Sequence, residues 1–543
     1  MMRTNRSAAV RSAGLATSLL LALGGCAGSS GSTVDAPCSE CGPTVAPPAP
    51  EGLGLTDAPE LDVTLSDEDA LAASLAVGTI RVRPGAETTL EVRIERNDFH
   101  GEVAVWVEGL SEGLVAEPTV MPAAVPTGRL VIGATLGAAL GGPHPFTVVV
   151  SAAGLDPIEV PARVVVAGAP GALDETFGDD GIAAYGEGGR FGVHAAAVDT
   201  KGRVLVAGRD FDAREMLLER LGADGRIDAV YGENARAILP DEEFSSGSLM
   251  VLDGDEARVL MSAGSSDAER VQVGLAAFDE LGHPDVSLGD AGLVAANQVP
   301  VANRGSWSLV VGEGSVFFRV GDRLAALRPD RTVTDLSVPE GAVTSFAMAY
   351  WNHTLTFAAS RNAGAAVAER IHTAGGRDAR FADGGILHGS TPTAEDHAST
   401  QTLDLVLLED GSGYAARSHL FADSSAFGEL LRFTPDGRPD PTFGEGGTVS
   451  LESLGEVIWS LAMDSAGRPV LFTQDFDTFG RRIRRYTRSG QPDRTFGDDG
   501  VVDLGLLGLS QSRHIALDRS ADRLVTCGGT HEGDGWQCAR LWL

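Results

Sequence analysis

Leu173-Asp174-Glu175-Thr176-Phe177-Gly178-Asp179-Asp180-Gly181 opens a motif that the chain repeats. Further copies are Ile227-Asp228-Ala229-Val230-Tyr231-Gly232, Pro284-Asp285-Val286-Ser287-Leu288-Gly289 and Arg377-Asp378-Ala379-Arg380-Phe381. Two more are Pro439-Asp440-Pro441-Thr442-Phe443-Gly444 and Pro492-Asp493-Arg494-Thr495-Phe496-Gly497. The repeated Asp falls at 174, 228, 285, 378, 440 and 493, so the gaps are 54, 57, 93, 62 and 53 residues. The long gap is close to two short units, and a degenerate copy near Asp330 to Glu340 would divide it. Self-similarity at this period marks an array of small units, none of which buries its faces alone.

Between the copies runs an apolar strand, a polar Gly or Asp turn and a second apolar strand. In the first unit it is Ala195-Ala196-Ala197-Val198-Asp199-Thr200-Lys201-Gly202-Arg203-Val204-Leu205-Val206. Counterparts centre on Val259, Val316, Leu355, Tyr414, Val470 and Leu524, which makes seven hairpins. Each unit then supplies four short strands, and packing such sheets face to face around an axis buries them. Residues 173 to 185 carry the outer-strand segment, whereas Ala539-Arg540-Leu541-Trp542-Leu543 matches a third strand. The last unit lacks its fourth strand and the first has one to spare, so their pairing would close a ring. The expectation for residues 168–543 is a seven-bladed β-propeller. The pattern resembles the delta-60 repeat, a bacterial propeller repeat, over about two-thirds of the chain. That resemblance implies a fold and a surface location, and implies no activity.

Upstream, short alternating runs include Thr89-Leu90-Glu91-Val92-Arg93-Ile94, Phe146-Thr147-Val148-Val149-Val150 and Arg163-Val164-Val165-Val166. Six or seven strands with turn signals between them predict a β-sandwich over 59–167. The stretch Gly101-Glu102-Val103-Ala104-Val105-Trp106-Val107-Glu108-Gly109-Leu110 resembles bacterial immunoglobulin-like modules. Trp106 is expected in the sandwich core. The fold class expected for the whole chain is all-β, an immunoglobulin-like β-sandwich followed by the seven-bladed propeller.

The N-terminus carries Arg3, Arg6 and Arg11, then an apolar stretch from Gly14 to Leu23, then Leu23-Gly24-Gly25-Cys26. The apolar stretch is too short to span a bilayer permanently. The box resembles the bacterial lipobox, which implies a signal peptide over 1–25 and lipidation of Cys26. Ala27 in place of Asp sends such a lipoprotein to the outer membrane under the sorting rule. Residues 26–58 are rich in Gly, Ser, Pro and Thr and read as a tether. Within them Cys38 and Cys41 are spaced for a small local disulfide. Cys527 and Cys538 fall on adjacent predicted strands of the last blade and are expected to form a cross-strand disulfide.

The 543 residues carry 75 Asp and Glu against 42 Lys and Arg, a net charge of −33. Such a field argues against nucleic acid, because phosphate binding begins with a basic surface. Lys201 is the single lysine, which rules out most lysine chemistry. Acids recur at the repeat turns as Asp179, Asp180, Glu233, Asp290, Asp383, Glu445, Asp498 and Asp499. They could bind Ca²⁺, but none has the spacing of a dedicated calcium loop, and Asp and Gly are also what tight turns require. No cofactor and no other metal is expected. His194 and His514 start inner strands of neighbouring blades, and Trp307 and Trp459 occupy matching places on two others. These four are the candidate ligand-facing residues, the tryptophans by stacking on a glycan or peptide. No residues group as a catalytic triad, and no catalytic residue is assigned. The expected function is a non-catalytic, monomeric, exported lipoprotein at the outer membrane or cell surface. A lipid would join it to the membrane, and its propeller would bind a protein or glycan. An exported propeller enzyme acting on polysaccharide or peptide is the alternative, and a structural envelope component a third.

Overall fold

The structure is a computed structural model. It describes residues 71–97, 99–185, 191–213, 215–238, 246–251, 259–266, 270–286, 293–300, 307–320, 323–328, 330, 332–336, 347–358, 366–389, 397–507, 515–530 and 535–543. Cys26, Cys38, Cys41, Asp290 and His514 lie outside the described residues.

All of the long elements are strands. The first two sheets share one core. One contains Leu71–Leu75, Glu87–Arg96, Thr127–Ala134 and Leu114–Glu117. The other contains Thr79–Val82, Ile158–Val166, Gly141–Ala152, Val103–Glu108 and Thr119–Met121. Alternation decides which side chains enter that core, since neighbours on a strand point to opposite faces. Leu90, Val92, Leu130, Ile132, Val148 and Val150 are completely buried in it. The same rule corrects one expectation. Val103 and Val105 take the inward positions of their strand and are completely buried, which turns Trp106 outward. Its indole N–H donates to Glu108 Oε1 on the same outer face at 2.8 Å.

Seven antiparallel sheets of four strands follow among the described residues, each in the order inner, second, third, outer. They begin at inner strands Phe191–Val198, Ser246–Val251, Trp307–Gly312, Met348–Trp351, His397–Leu407, Glu456–Met463 and Ile515–Asp518. Each inner strand touches the inner strand of the next sheet, and the seventh touches the first. The fold is all-β and propeller-like. Apolar clusters fill the spaces between successive sheets. Tyr414, Leu430 and Phe443 of the fifth meet Ile458, Leu461 and Leu471 of the sixth. Phe472, Ile483 and Phe496 of the sixth meet Leu524 and Leu541 of the seventh. Each such side chain contributes about 1.5–3 kcal/mol of burial, so every sheet depends on its two neighbours.

The seventh sheet is composite. Ile515–Asp518, Arg523–Gly529 and Trp536–Trp542 come from the C-terminal end, and its outer strand is Ile182–Tyr185. Ile182 pairs with Ala539 and Tyr185 with Trp536 in antiparallel register. Cys527 and Cys538 sit opposite one another on this sheet and are joined as a disulfide.

The repeated motif explains how the sheets are stitched. Its Asp accepts the backbone N–H two residues on, as in Asp440 to Thr442 at 2.9 Å and Asp493 to Thr495 at 3.1 Å, which fixes an Asx turn. Its other oxygen takes an arginine from the third strand: Arg220 for Asp228 at 2.8 Å, Arg485 for Asp493 at 2.9 Å. The guanidinium also covers the motif's aromatic ring. Arg220 lies 4.3 Å from the Tyr231 centroid, Arg370 4.1 Å from Phe381, Arg485 4.7 Å from Phe496 and Arg540 4.5 Å from Phe177. The next residue donates its N–H to the following sheet: Gly178 to Asp224, Gly232 to Leu281, Ala382 to Asp436, Gly444 to Ser489. Glycine suits that place because φ is +62° at Gly178 and a Cβ there would lie 2.2 Å from the Ile182 carbonyl oxygen.

Candidate functional site: the two ends of the sheet ring

Chain direction assigns loops to ends. Hairpins joining inner to second strands and turns joining third to outer strands lie at one end of every sheet. Hairpins joining second to third strands, and connections to the next inner strand, lie at the other. The repeated motif therefore occupies one end throughout.

At that motif end the β-sandwich is seated. Arg81 pairs with Asp522, which lies in the first hairpin of the seventh sheet. Asp522 also accepts the Ser465 N–H of the sixth sheet at 2.9 Å. Leu140, Val165 and Ala167 of the sandwich pack with Ala521 and Trp542. Burial pulls the Arg81 guanidinium down to about 10, opposed by Asp464 and Asp518. The turn acids belong to the same end. Asp179, Glu233, Asp383, Glu445 and Asp498 use their backbone N–H groups to close tight turns. Among the described residues, no group of three His, Cys, Asp or Glu is placed to hold a metal ion.

The opposite end is built differently. In the fifth sheet a run of polar side chains breaks the apolar pattern. His397 Nε2 lies 3.0 Å from Thr400 Oγ1, and Thr400 Oγ1 lies 2.8 Å from His419 Nδ1. His419 Nε2 lies 3.4 Å from Glu429 Oε2, which also accepts from Arg417 Nη1 at 2.5 Å. Thr400, His419, Arg417 and Glu429 are all buried. A carboxylate only accepts, so Glu429 selects the His419 tautomer carrying hydrogen on Nε2. His419 Nδ1 then accepts from the Thr400 hydroxyl, and Thr400 accepts from His397. Chemically this is a directed hydroxyl–imidazole–carboxylate chain. Burial raises the Glu429 carboxyl, but the His419 hydrogen bond and Arg417 outweigh it and hold it below its ordinary value. Sequence reasoning missed this group. Its one signal was Arg417-Ser418-His419 inside a second strand, where the first and seventh units carry Ala207-Gly208 and Cys527-Gly528.

A second polar contact joins the fifth and sixth inner strands. Each is bulged, between Thr402 and Asp404 and between Ile458 and Ser460. Asp404 Oδ2 accepts the Leu461 N–H at 2.8 Å and the Ser460 hydroxyl at 3.2 Å. Asp404 as a residue is half-buried, but its carboxylate is enclosed in this seam, and burial pushes its pKa up to about 6 against three hydrogen bonds that lower it. A raised carboxyl binds its proton in the folded chain where the unfolded chain has lost it, so this group disfavours folding as pH rises from about 4 to 6. Asp404→Asn, which must turn its amide NH2 toward one of the N–H donors of Leu405 and Leu461, should start from a deficit and then gain on wild type through that window, by on the order of 3 kcal/mol by pH 7. The difference between their urea midpoints should be flat below the window. A difference that does not change with pH would refute the assignment.

The four candidate ligand-facing residues fall in different settings. His194 is half-buried at a bulge of the first inner strand, and burial, with Arg209 beside it, lowers its pKa. Trp459 packs on the core between the sixth and seventh sheets and donates to Gln474 Oε1 at 3.0 Å. Trp307 begins the third inner strand, opposite Val320. These three lie on the inner strands of three different sheets, the first, third and sixth.

No family model and no curated protein matches the chain. Solved structures do resemble it. A quinonprotein alcohol dehydrogenase-like protein from Bacteroides thetaiotaomicron is 11% identical over 78% of this chain and 93% of its own, with a TM-score of 0.24. The N-terminal domain of Nup159 is 11% identical over 69% and 98%, with a TM-score of 0.34. Drosophila Plexin A in complex with Semaphorin 1b is 9% identical over 66% and 86%, with a TM-score of 0.32.

Proposed function

We propose that the chain is a non-catalytic, exported, lipid-anchored scaffold that binds a protein or glycan at one end of a ring of sheets. In this reading the seven sheets are the blades of one closed propeller of delta-60-like repeats. The two-sheet unit is its immunoglobulin-like spacer, and Cys26 carries the lipid at the outer membrane or cell surface.

The orientation of the sandwich carries the reading. It sits on the motif end, through Arg81–Asp522 and the Leu140–Trp542 cluster. The tether precedes the sandwich in the chain, so the membrane lies on that side. The hairpins between second and third strands face away from it. Loops carried on a rigid frame are where binding residues concentrate. The motif arginines and acids, by contrast, are spent on one another.

The test is capture from outer-membrane extracts by the full chain in detergent, with and without Ca²⁺, followed by cross-linking. With Lys201 the single lysine, amine reagents are nearly silent, so a carboxyl-reactive dihydrazide is the reagent of choice. Cross-links are expected at Asp210, Asp212, Asp423, Asp475 and Asp477. Cross-links confined to Asp224, Asp436 and Asp499 would place the partner at the wrong end.

A further inference from the structure

On the sixth sheet, the far end carries apolar side chains where local energetics favour polar ones. The hairpin Asp475-Phe476-Asp477-Thr478-Phe479-Gly480 is closed by Asp475 Oδ1, which accepts the N–H groups of Asp477 at 3.0 Å and Thr478 at 2.8 Å. Phe479 then adopts φ +59°, a left-handed conformation that costs a bulky side chain energy and suits Gly or Asn. Its ring recovers little by burial, being 61% exposed. Phe476 donates its N–H to the Gly455 carbonyl at 3.0 Å, which ties this hairpin to the short 3₁₀ turn Glu452–Leu454. Leu454 on that turn is 43% exposed. Two hydrogen-bonded loops thus present one apolar patch.

Charge around the patch is acidic. Glu452 and Asp477 are both exposed. Of the cations that follow the hairpin, Arg481 is buried, and Arg482 pairs with the buried Glu456 at 2.7 Å and with the rim's Asp475 at 3.6 Å, while Arg484 also binds Glu456 at 2.6 Å. A phenyl face attracts cations through its quadrupole, in the same sense as the carboxylates. Ring and rim therefore select one kind of partner. The first sheet repeats the device at the same end. There Asp210-Phe211-Asp212 forms the same Asx turn, with Asp210 Oδ1 accepting at 2.9 Å, and the Phe211 ring, 45% exposed, already holds a cation of the chain itself, the Arg209 guanidinium 5.8 Å from its centroid.

We propose that the patch of Leu454, Phe476 and Phe479, rimmed by Glu452, Asp475 and Asp477, docks a peptide segment of a partner protein. That segment sets an Arg or Lys beside a bulky apolar side chain. This rests on the far-end reading above and commits it to a cationic peptide instead of a glycan.

The test selects a random dodecapeptide phage library on the immobilised full chain, with F479G as counter-selection. Enriched peptides are expected to pair basic with large apolar residues and to lose about tenfold in affinity on F479G, as a central aromatic anchor does. D477N should weaken them less and flatten their salt dependence. Phe479→Gly leaves the left-handed turn unstrained, so its Tm should match or exceed that of wild type, which separates lost docking from lost folding. Peptides that bind F479G equally, or that are acidic or neutral, overturn the proposal. So does an oligosaccharide competing at this patch. Cross-links at other far-end hairpins would leave the broader reading standing.

Discussion

Asp174→Asn should destabilise the chain by about 3–5 kcal/mol, because it leaves the buried Arg540 without its counter-ion and leaves the buried Arg523 with Asp518 alone. Asp174 is completely buried. Its Oδ2 accepts from Arg540 Nε at 2.8 Å and Arg523 Nη1 at 2.9 Å, both from the other end of the chain. Asparagine would keep the turn made with Thr176 but carries no charge. Burial raises the Asp174 carboxyl, yet Arg540, Thr176 and Arg523 together hold it below its ordinary value. A depressed carboxyl stabilises the fold above its unfolded pKa and loses that contribution as pH falls, so the penalty of the substitution should shrink in acid. Asp440→Asn is the internal comparison. Its partner Arg432 stands 3.1 Å away in a more exposed pair, and about 1 kcal/mol is expected. Urea midpoints of the two variants give the ranking.

Replacing Cys527 and Cys538 together by alanine is the second large effect. The bond spans 11 residues, and the loop-entropy account gives about 3 kcal/mol for a loop of this size. Both sulfurs are buried beside Trp536 and Phe177, at the junction of the seventh and first sheets, so truncation also opens space there. On reduction after unfolding, the native chain should gain two hydrogens more in intact mass than the double variant does. Its reduced form should melt with the double variant, well below the oxidised protein. Equal melting of oxidised and reduced chains would remove the bond from the stability account.

What was legible in the sequence was local. Asp174, Asp228, Asp378, Asp440 and Asp493 each write their turn into the next two residues. The composite seventh sheet could be reasoned from strand matching, because residues 173 to 185 carry an outer-strand segment ahead of the first inner strand and Ala539 to Leu543 matches a third strand. The stitching was not legible. No spacing announces that Arg540 answers Asp174, or that Gly497 donates to Pro170 as Gly444 does to Ser489. Trp106 lies outside the core despite its size, because the alternation set by Val103 and Val105 decides the face of the strand. The His397–Thr400–His419–Glu429 chain joins three strands, so its members lie far apart in sequence and share no motif. The aromatic hairpins were the reverse case. Asp210-Phe211-Asp212 and Asp475-Phe476-Asp477 are identical words at equivalent places, legible in the sequence as a repeat although neither contains a tryptophan.

The central claim is that the segment around Asp174 completes the sheet that ends the chain. A double-mutant cycle on Asp174→Asn and Arg540→Leu, read by urea unfolding, tests it most directly. These residues are 366 positions apart, so coupling between them arises only if the chain closes on itself. A coupling energy of about 1–3 kcal/mol is predicted, with the double variant better than the sum of the singles. Additive effects would contradict the closure.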